Sequence, residues 1–178
     1  MEFKDSKTRQ NLLTAYLRES GAFNEYSFYA MQAKTERLEK VANTFLTFAQ
    51  NEQAHAKVLF KFWHGIGETK DNLKDAMDLE NYERTVMYAE FSKIAKKEGF
   101  TNIAKTLDLI AKVEGSHEQQ YKTLMEELKG KTMFKEKEAV GWKCLNCGHI
   151  HYGKQPPETC PLCNHPRTYF TKMPNEQN

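Results

Sequence analysis

No proline falls between Ser6 and Leu128, glycine is sparse there, and Ala, Glu, Lys, Leu, Gln, Met and aromatic residues dominate. A stretch this long without a breaker, built from good helix formers, is restricted to helices joined by short turns. Apolar periodicity marks four of them, at about 7–33, 36–64, 73–98 and 101–128, with breaks near Thr35, at Gly65 and Gly67, and at Gly99. Short connections imply packing between sequence neighbours, so an all-α four-helix bundle is expected.

Beyond these helices the composition changes. Gly130 to Ala139 (GKTMFKEKEA) is charged and lacks an apolar period, as a linker would. From Gly141 the residues are Gly, Pro, Cys, His and Tyr, in a segment too short to hold itself together by apolar burial, so it needs a metal staple. All four cysteines lie here as two Cys-x-x-Cys pairs, Cys144 with Cys147 and Cys160 with Cys163. Two such knuckles can wrap one tetrahedral ion, and in a reducing compartment thiolates hold metal rather than form disulfides. Spacing alone favours structural zinc over a single iron. Trp142, Tyr152, Tyr169 and Phe170 are expected to form a small aromatic core around the site. His149, His151 and His165 are assigned to loops or surface, because four thiolates complete the shell. The expected organisation is a helical domain over 1–130, a linker over 131–140 and a metal-stapled module over 141–178.

The helical seams carry charge at mid-height. The second helix reads Val41, Phe45, Phe48, Glu52, His55, Leu59, Phe62, and the fourth reads Ile103, Leu107, Ile110, Glu114, His117, Tyr121, Leu124, Leu128. The first places Glu19 among Leu12, Tyr16, Phe23, Tyr26 and Ala30, and the third places Glu80 and Glu83 among Leu73, Ala76, Met87, Phe91 and Ile94. These positions are expected to face the core. Buried carboxylates cost several kcal/mol each, in order of magnitude, unless a cation compensates, and no Lys or Arg shares these seams at that level. A Glu-x-x-His pair sets a carboxylate and an imidazole on one helical face. One Glu from each of two helices with Glu-x-x-His from the other two is the pattern of di-iron and di-manganese carboxylate bundles. Oxygen-rich ligation with two imidazoles favours iron or manganese, without excluding zinc. Taken singly, a Glu-x-x-His is common by chance and a seam histidine is more often a hydrogen-bonded core residue; the conjunction of both pairs with Glu19 and Glu80 argues for a dinuclear site. On spacing alone Glu83 reads equally well as a spare surface residue.

Charge names no partner. Twenty-six Lys and Arg against 24 Asp and Glu leave +2, with no basic and aromatic stripe for nucleic acid. Met1 to Gln10 has no apolar run of the signal-peptide kind, and nowhere do eighteen apolar residues follow one another, so membrane insertion and secretion are disfavoured and a cytoplasmic protein is expected.

The residues also carry a family resemblance. E-S-G-A-F-N-E-Y-S-F-Y-A from Glu19, N-E-Q-A-H-A from Asn51, E-N-Y-E-R-T-V-M-Y from Glu80, V-E-G-S-H from Val113, W-K-C-L-N-C-G and C-P-L-C-N resemble a rubrerythrin over nearly the whole chain. That resemblance implies a ferritin-like di-iron bundle followed by a rubredoxin-like module. It makes Glu83 a seventh ligand, with Glu83 and His55 exchanging on one iron between the oxidised and reduced states. Glu114 and His117 then serve the other iron, Glu52 and Glu114 bridge, and Glu19 and Glu80 flank. Tyr26 and Tyr88 match family tyrosines that hydrogen-bond ligand carboxylates. The implied reaction is two-electron reduction of hydrogen peroxide to water in oxidative-stress defence, with the diferrous pair becoming diferric. A single iron in four cysteine thiolates refills the pair from an external reductase or rubredoxin, commonly NADH-linked. The resemblance therefore reverses the zinc-first reading of Cys144, Cys147, Cys160 and Cys163, leaving zinc or manganese as substitute metals.

A ferritin-like topology runs the second and third helices parallel, which strains the Gly65 to Asn72 connection. Returning from His55 to the height of Glu80 takes about 25 Å axially and about 10 Å sideways, while eight or nine residues reach at most roughly 26 to 32 Å. The expectation is a homodimer in which helices one and two of one chain complete the site with helices three and four of another. Competing functions are a ferroxidase or iron-storage protein, a non-catalytic bundle with a structural zinc ribbon, and an oxygenase acting on an organic substrate.

Overall fold

The computed structural model describes residues 1–174, in which the chain divides into two compact units after Gly67. In the first unit, α1 (Lys7–Thr35) is capped by Ser6, whose Oγ accepts the Arg9 N–H at 3.1 Å. A tight turn in which Arg37 takes a left-handed conformation (φ 61°) leads into α2 (Glu39–Trp63). The two helices are antiparallel: the Tyr16 ring packs on Phe60 with centroids 5.2 Å apart, and the Tyr26 ring on Phe45 at 6.2 Å. The buried row on each helix is alanine, namely Ala22, Ala30 and Ala33 on α1 and Ala42, Ala49 and Ala56 on α2. Small residues on one face let the helices approach closely. The larger apolar residues expected in the core lie elsewhere, with Val41 43%, Phe48 51% and Phe62 68% exposed. The sequence seam is thus a second apolar face that this helix pair leaves open.

The second unit begins with α3 (Thr69–Tyr82), a π-helical turn (Glu83–Met87) and α4 (Tyr88–Lys97), which together occupy the third predicted helix. The start falls four residues before the first periodic apolar position, because Thr69 to Asn72 are polar and Asp71 favours a first helical turn without leaving an apolar mark. Gly99, with φ 88°, turns the chain into α5 (Thr101–Gly130). Helices α4 and α5 are antiparallel and joined by Ser92 Oγ donating to the Ala104 carbonyl at 3.3 Å and by Lys96 Nζ at 2.8 Å from Asp108 Oδ2. Lys131, at φ 53°, ends α5 in the left-handed conformation typical of a helix stop.

Three short strands follow: β1 (Val140–Cys144), β2 (Ile150–Gly153) and β3 (Phe170–Lys172), antiparallel in the order β2-β1-β3. Trp142 pairs with His151 and Cys144 with Phe170. The small core is Trp142, Cys144, Cys160 and Phe170, and Trp142 Nε1 donates to the Gly153 carbonyl at 3.0 Å. Of the four aromatic residues expected there, Tyr152 is 74% exposed and Tyr169 42%. Strand alternation explains Tyr152: with Ile150 it stands on the outer face of β2, opposite His151 and Gly153. Among the described residues no helix is long and apolar enough to cross a membrane.

Candidate metal centres

Three clusters of metal-ligating side chains stand out. In the first unit Glu19, Glu52 and His55 offer ligand atoms within 4.8 Å of one another, and in the second Glu80, Glu114 and His117 do the same. Each cluster takes one glutamate from one helix and a Glu-x-x-His pair from another, α1 with α2 in the first and α3 with α5 in the second. His55 Nδ1 stands 2.9 Å from Glu52 Oε2, and His117 Nδ1 stands 2.8 Å from Glu114 Oε2 and 3.5 Å from Glu80 Oε1. The glutamate side chains are largely buried (Glu52 20%, Glu80 16% and Glu114 13% exposed), while His55 is 61% and His117 46% exposed. Within each helix pair the histidines therefore stand open rather than facing the buried row.

Electrostatics mark both clusters as short of positive charge. A hydrogen bond with Glu52, then desolvation, raises Glu19 above the ordinary carboxylate range, and the same bond and His55 lower Glu52. Glu80 is raised by burial and then by its hydrogen bond to Glu114. Glu83 is raised by burial and then by the Glu114 charge, which places it beside the second cluster though outside its inner group. Burial, followed by the charges of Glu83, Glu114 and Glu80, raises the Tyr88 phenol. Tyr26 packs its ring against Tyr29 and Phe45. Carboxylates crowded so that ionisation is disfavoured are carboxylates a dication would stabilise, and oxygen ligands with one imidazole per cluster suit iron or manganese.

The third cluster is Cys144, Cys147, Cys160 and Cys163. Both knuckles use one hydrogen-bond pattern: the Gly148 and Asn164 N–H groups donate to the Cys144 and Cys160 carbonyls, and the Cys144 and Cys160 N–H groups donate to the His149 and His165 carbonyls. Gly148 (φ 78°) and Asn164 (φ 58°) supply the left-handed residue that each turn requires. Two of the cross-knuckle sulfur pairs, Cys144 with Cys163 and Cys147 with Cys160, are each separated by 3.7 Å. That is far beyond a disulfide bond and close to the edge of about 3.8 Å of a thiolate tetrahedron with bonds of about 2.3 Å. The thiols share protons unequally. The His165 backbone N–H and neighbouring groups hold Cys163 at about 6, whereas Cys147, although drawn down by the His149 backbone, is pushed by burial and the other thiols to about 12.

One feature of the site escapes the sequence patterns. Glu118, directly after His117, accepts from Asn81 Nδ2 at 3.0 Å and from Arg84 Nε and Nη2 at 3.1 and 2.9 Å. Its only sequence signal is Gly115, a glycine inside a long helix between two ligand positions.

Residues 10–125 match the family profile described as "Rubrerythrin", and residues 142–171 that described as "Rubrerythrin, rubredoxin-like domain". Rubrerythrin-1 of Clostridium acetobutylicum is 40% identical, over 94% of this chain and 94% of its own. The rubrerythrin of Porphyromonas gingivalis is 39% identical over 96% and 92%, and that of Nitratidesulfovibrio vulgaris 36% identical over 94% of each. Helices carrying two Glu-Glu-His groups are followed here by a rubredoxin-like four-cysteine segment, and with these matches the chain belongs to the rubrerythrin family.

Proposed function

We propose that the chain is a peroxidase that reduces hydrogen peroxide to water at a carboxylate-bridged iron pair, with electrons delivered through an iron held by Cys144, Cys147, Cys160 and Cys163. The observation that carries the reading is the presence in one chain of two matched Glu-Glu-His clusters and a thiolate tetrahedron of metal-binding size. Iron storage would need only the first of these. When bound, the iron pair supplies the two electrons that, with two protons, convert one peroxide into two waters.

The protein's own residues govern binding and protons. Glu19, Glu52, Glu80 and Glu114 would hold the iron pair through their carboxylates, with Glu52 and Glu114 the candidates for sharing between the two ions, and His55 and His117 would bind through Nδ1, the atom each turns toward its own glutamate. Glu83 and His55 are the two side chains that would alternate in holding one of the irons. Burial, then the Glu114 charge, raises the Glu83 carboxyl above the ordinary carboxylate range, which suits it to carrying a proton when it holds no metal. Tyr88, surrounded by three glutamates and raised by burial, stays a neutral hydrogen-bond donor to them, and Tyr26 has the corresponding role in the first cluster. An external reductase, NADH-linked, or a rubredoxin refills the iron on the four thiolates, and thiolate ligation suits a reducing compartment such as the cytoplasm.

The complete pair is proposed to form between two copies of the chain. In the ferritin-like topology α2 and α3 run parallel, yet only residues 64–68 join them. From His55 to the end of α2 is about 12 Å and from the start of α3 to Glu80 about 16 Å, while six Cα steps span at most about 22 Å. One chain cannot bring both clusters to one height in that topology; α1 and α2 of one copy with α3 to α5 of another can. The apolar faces left open on the helices, Phe48, Phe62, Phe91 and Ile103 among them, provide the surface for that exchange.

The test is metal content and the visible spectrum of protein produced in iron-replete medium, followed by anaerobic reduction and addition of peroxide. About three irons per chain, with thiolate-to-iron charge-transfer bands that bleach on reduction and return on peroxide addition, support the peroxidase. Zinc in the tail with no peroxide-driven reoxidation removes it, and rapid reoxidation by oxygen but not by peroxide favours a ferroxidase.

A further inference from the structure

Glu83 lies on a π-helical turn, and the residues around it are tied to a side chain outside the ligand set. Glu118 Oε1 receives Asn81, and Oε2 receives both Arg84 Nε and Arg84 Nη2. Asn81, near the end of α3, and Arg84, on the π turn, flank Glu83, while Glu118 sits on α5, one turn beyond Glu114 and next to His117. This ion pair is more buried than the one between Lys96 and Asp108, which also crosses to α5: Arg84 and Glu118 are 39% and 26% exposed, against 57% and 44%. Gly115 is shaped to this clamp, since a Cβ there would come within 2.8 Å of Arg84 Cδ. A glycine inside a helix costs about 0.5–1 kcal/mol relative to alanine, and here the close passage of Arg84 requires it.

We propose that Glu118 is a positioning residue: through Asn81 and Arg84 it fixes the π-helical turn and thereby the reach of the Glu83 carboxylate toward an iron. The inference rests on the reading of Glu83 as an iron ligand. A π turn holds one residue more than an α turn, so the carboxylate it carries has a neighbouring α register available if the turn relaxes. Glu118 ties residues on both sides of Glu83, Asn81 before it and Arg84 after it, to the helix that bears Glu114 and His117, so Glu83 is held in register with the other ligands. Outer groups of this kind orient ligands without touching the metal.

Two measurements on the full-length chain test this. The first is amide hydrogen exchange over residues 83–88 with the carboxylate clusters free of metal. Glu118→Ala is expected to accelerate exchange there, and Asp108→Ala, which cuts the other cross-helix pair, is expected not to. The second is anaerobic ferrous-iron titration of Glu83→Ala, Glu118→Ala and the double variant. Glu118→Ala should weaken one iron position about 10- to 100-fold, Glu118→Gln should recover part of the loss, and in a Glu83→Ala background the Glu118 change should add nothing. Exchange unchanged by Glu118→Ala, or losses that add in the double variant, overturns the inference. Wild-type protein that binds no iron at its carboxylates removes the underlying reading as well. Wild-type binding with a Glu118→Ala titration identical to it overturns this inference alone.

Discussion

His117 Nδ1 stands 2.8 Å from Glu114 Oε2, the same contact that His55 makes with Glu52 at 2.9 Å on the other helix pair. Each half of the chain thus carries one Glu-Glu-His group, and neither half carries two. Exchange between chains makes a distinctive prediction from this equivalence. Glu52→Ala and Glu114→Ala homodimers should both lack peroxidase activity. A heterodimer of the two variants should contain one site with every ligand native and one with both changes, and show about half the activity of the wild-type dimer. Purified heterodimer, separated by two different affinity tags, gives the answer. No activity in it means that each site is built from one chain.

The proposed relay separates two kinds of turnover. With Cys160→Ala, a pre-reduced iron pair should still reduce one equivalent of peroxide at close to the wild-type rate, while steady turnover with a reductase should stop. Glu83→Ala should leave the fold intact and slow both assays, because it acts at the pair. Stopped-flow reoxidation beside a steady-state assay makes the comparison. Equal losses in both assays for Cys160→Ala would contradict the relay.

Metal removal should act locally. Two of the four residues in the core of the small module are Cys144 and Cys160, so removing the ion takes away the tie that holds Trp142 against Phe170. A strong chelator is expected to red-shift and broaden Trp142 emission, read in a Trp63→Phe background, while far-ultraviolet helicity changes little. Adding zinc should restore the module's emission without restoring steady turnover.

Much of the helical architecture was legible because its signals are local: no proline, apolar periods, and breaks at glycine. The Glu-x-x-His pairs were legible because i and i+3 share a helical face whatever the tertiary packing. Which apolar face each helix buries was not. Ala42, Ala49 and Ala56 form a regular row but carry little hydrophobic weight, so the seam through Phe48 and Phe62 dominated the pattern, although the helix pair closes on the alanines. The π turn at Glu83–Met87 leaves no compositional mark, because one inserted residue only shifts a phase that a short helix does not fix well. In the tail the cysteine spacing determined the knuckles, whereas the outward position of Tyr152 depended on a strand register that its aromatic character does not reveal.

Lys96, then Ser92, holds the Asp108 carboxyl below the ordinary carboxylate range. A carboxyl with a lowered folded pKa contributes stability that is present above its unfolded value and lost as pH falls through the folded one. The contact between α4 and α5 should therefore weaken only below about pH 4. Asp108→Asn should lower stability at pH 7 slightly and lose less than the wild type on acidification to pH 3. Denaturant unfolding at the two pH values compares them, and parallel losses in both proteins would remove Asp108 as a source of acid sensitivity.

Gly115→Ala tests whether Arg84 is confined or merely nearby. Alanine in the interior of a helix ordinarily gains about 0.5–1 kcal/mol over glycine. At this position the new methyl group would lie 2.8 Å from Arg84 Cδ, and the arginine is held at its far end by two hydrogen bonds to Glu118, so it cannot withdraw without breaking them. The gain in propensity and the loss of the pair should roughly cancel, leaving the stability of Gly115→Ala near that of the wild type. In an Arg84→Ala background the obstruction is gone, and the same change should stabilise by the full propensity difference. A thermodynamic cycle of the four proteins measures the coupling. If Gly115→Ala stabilises both backgrounds equally, Arg84 has room to move and the clamp does not confine it.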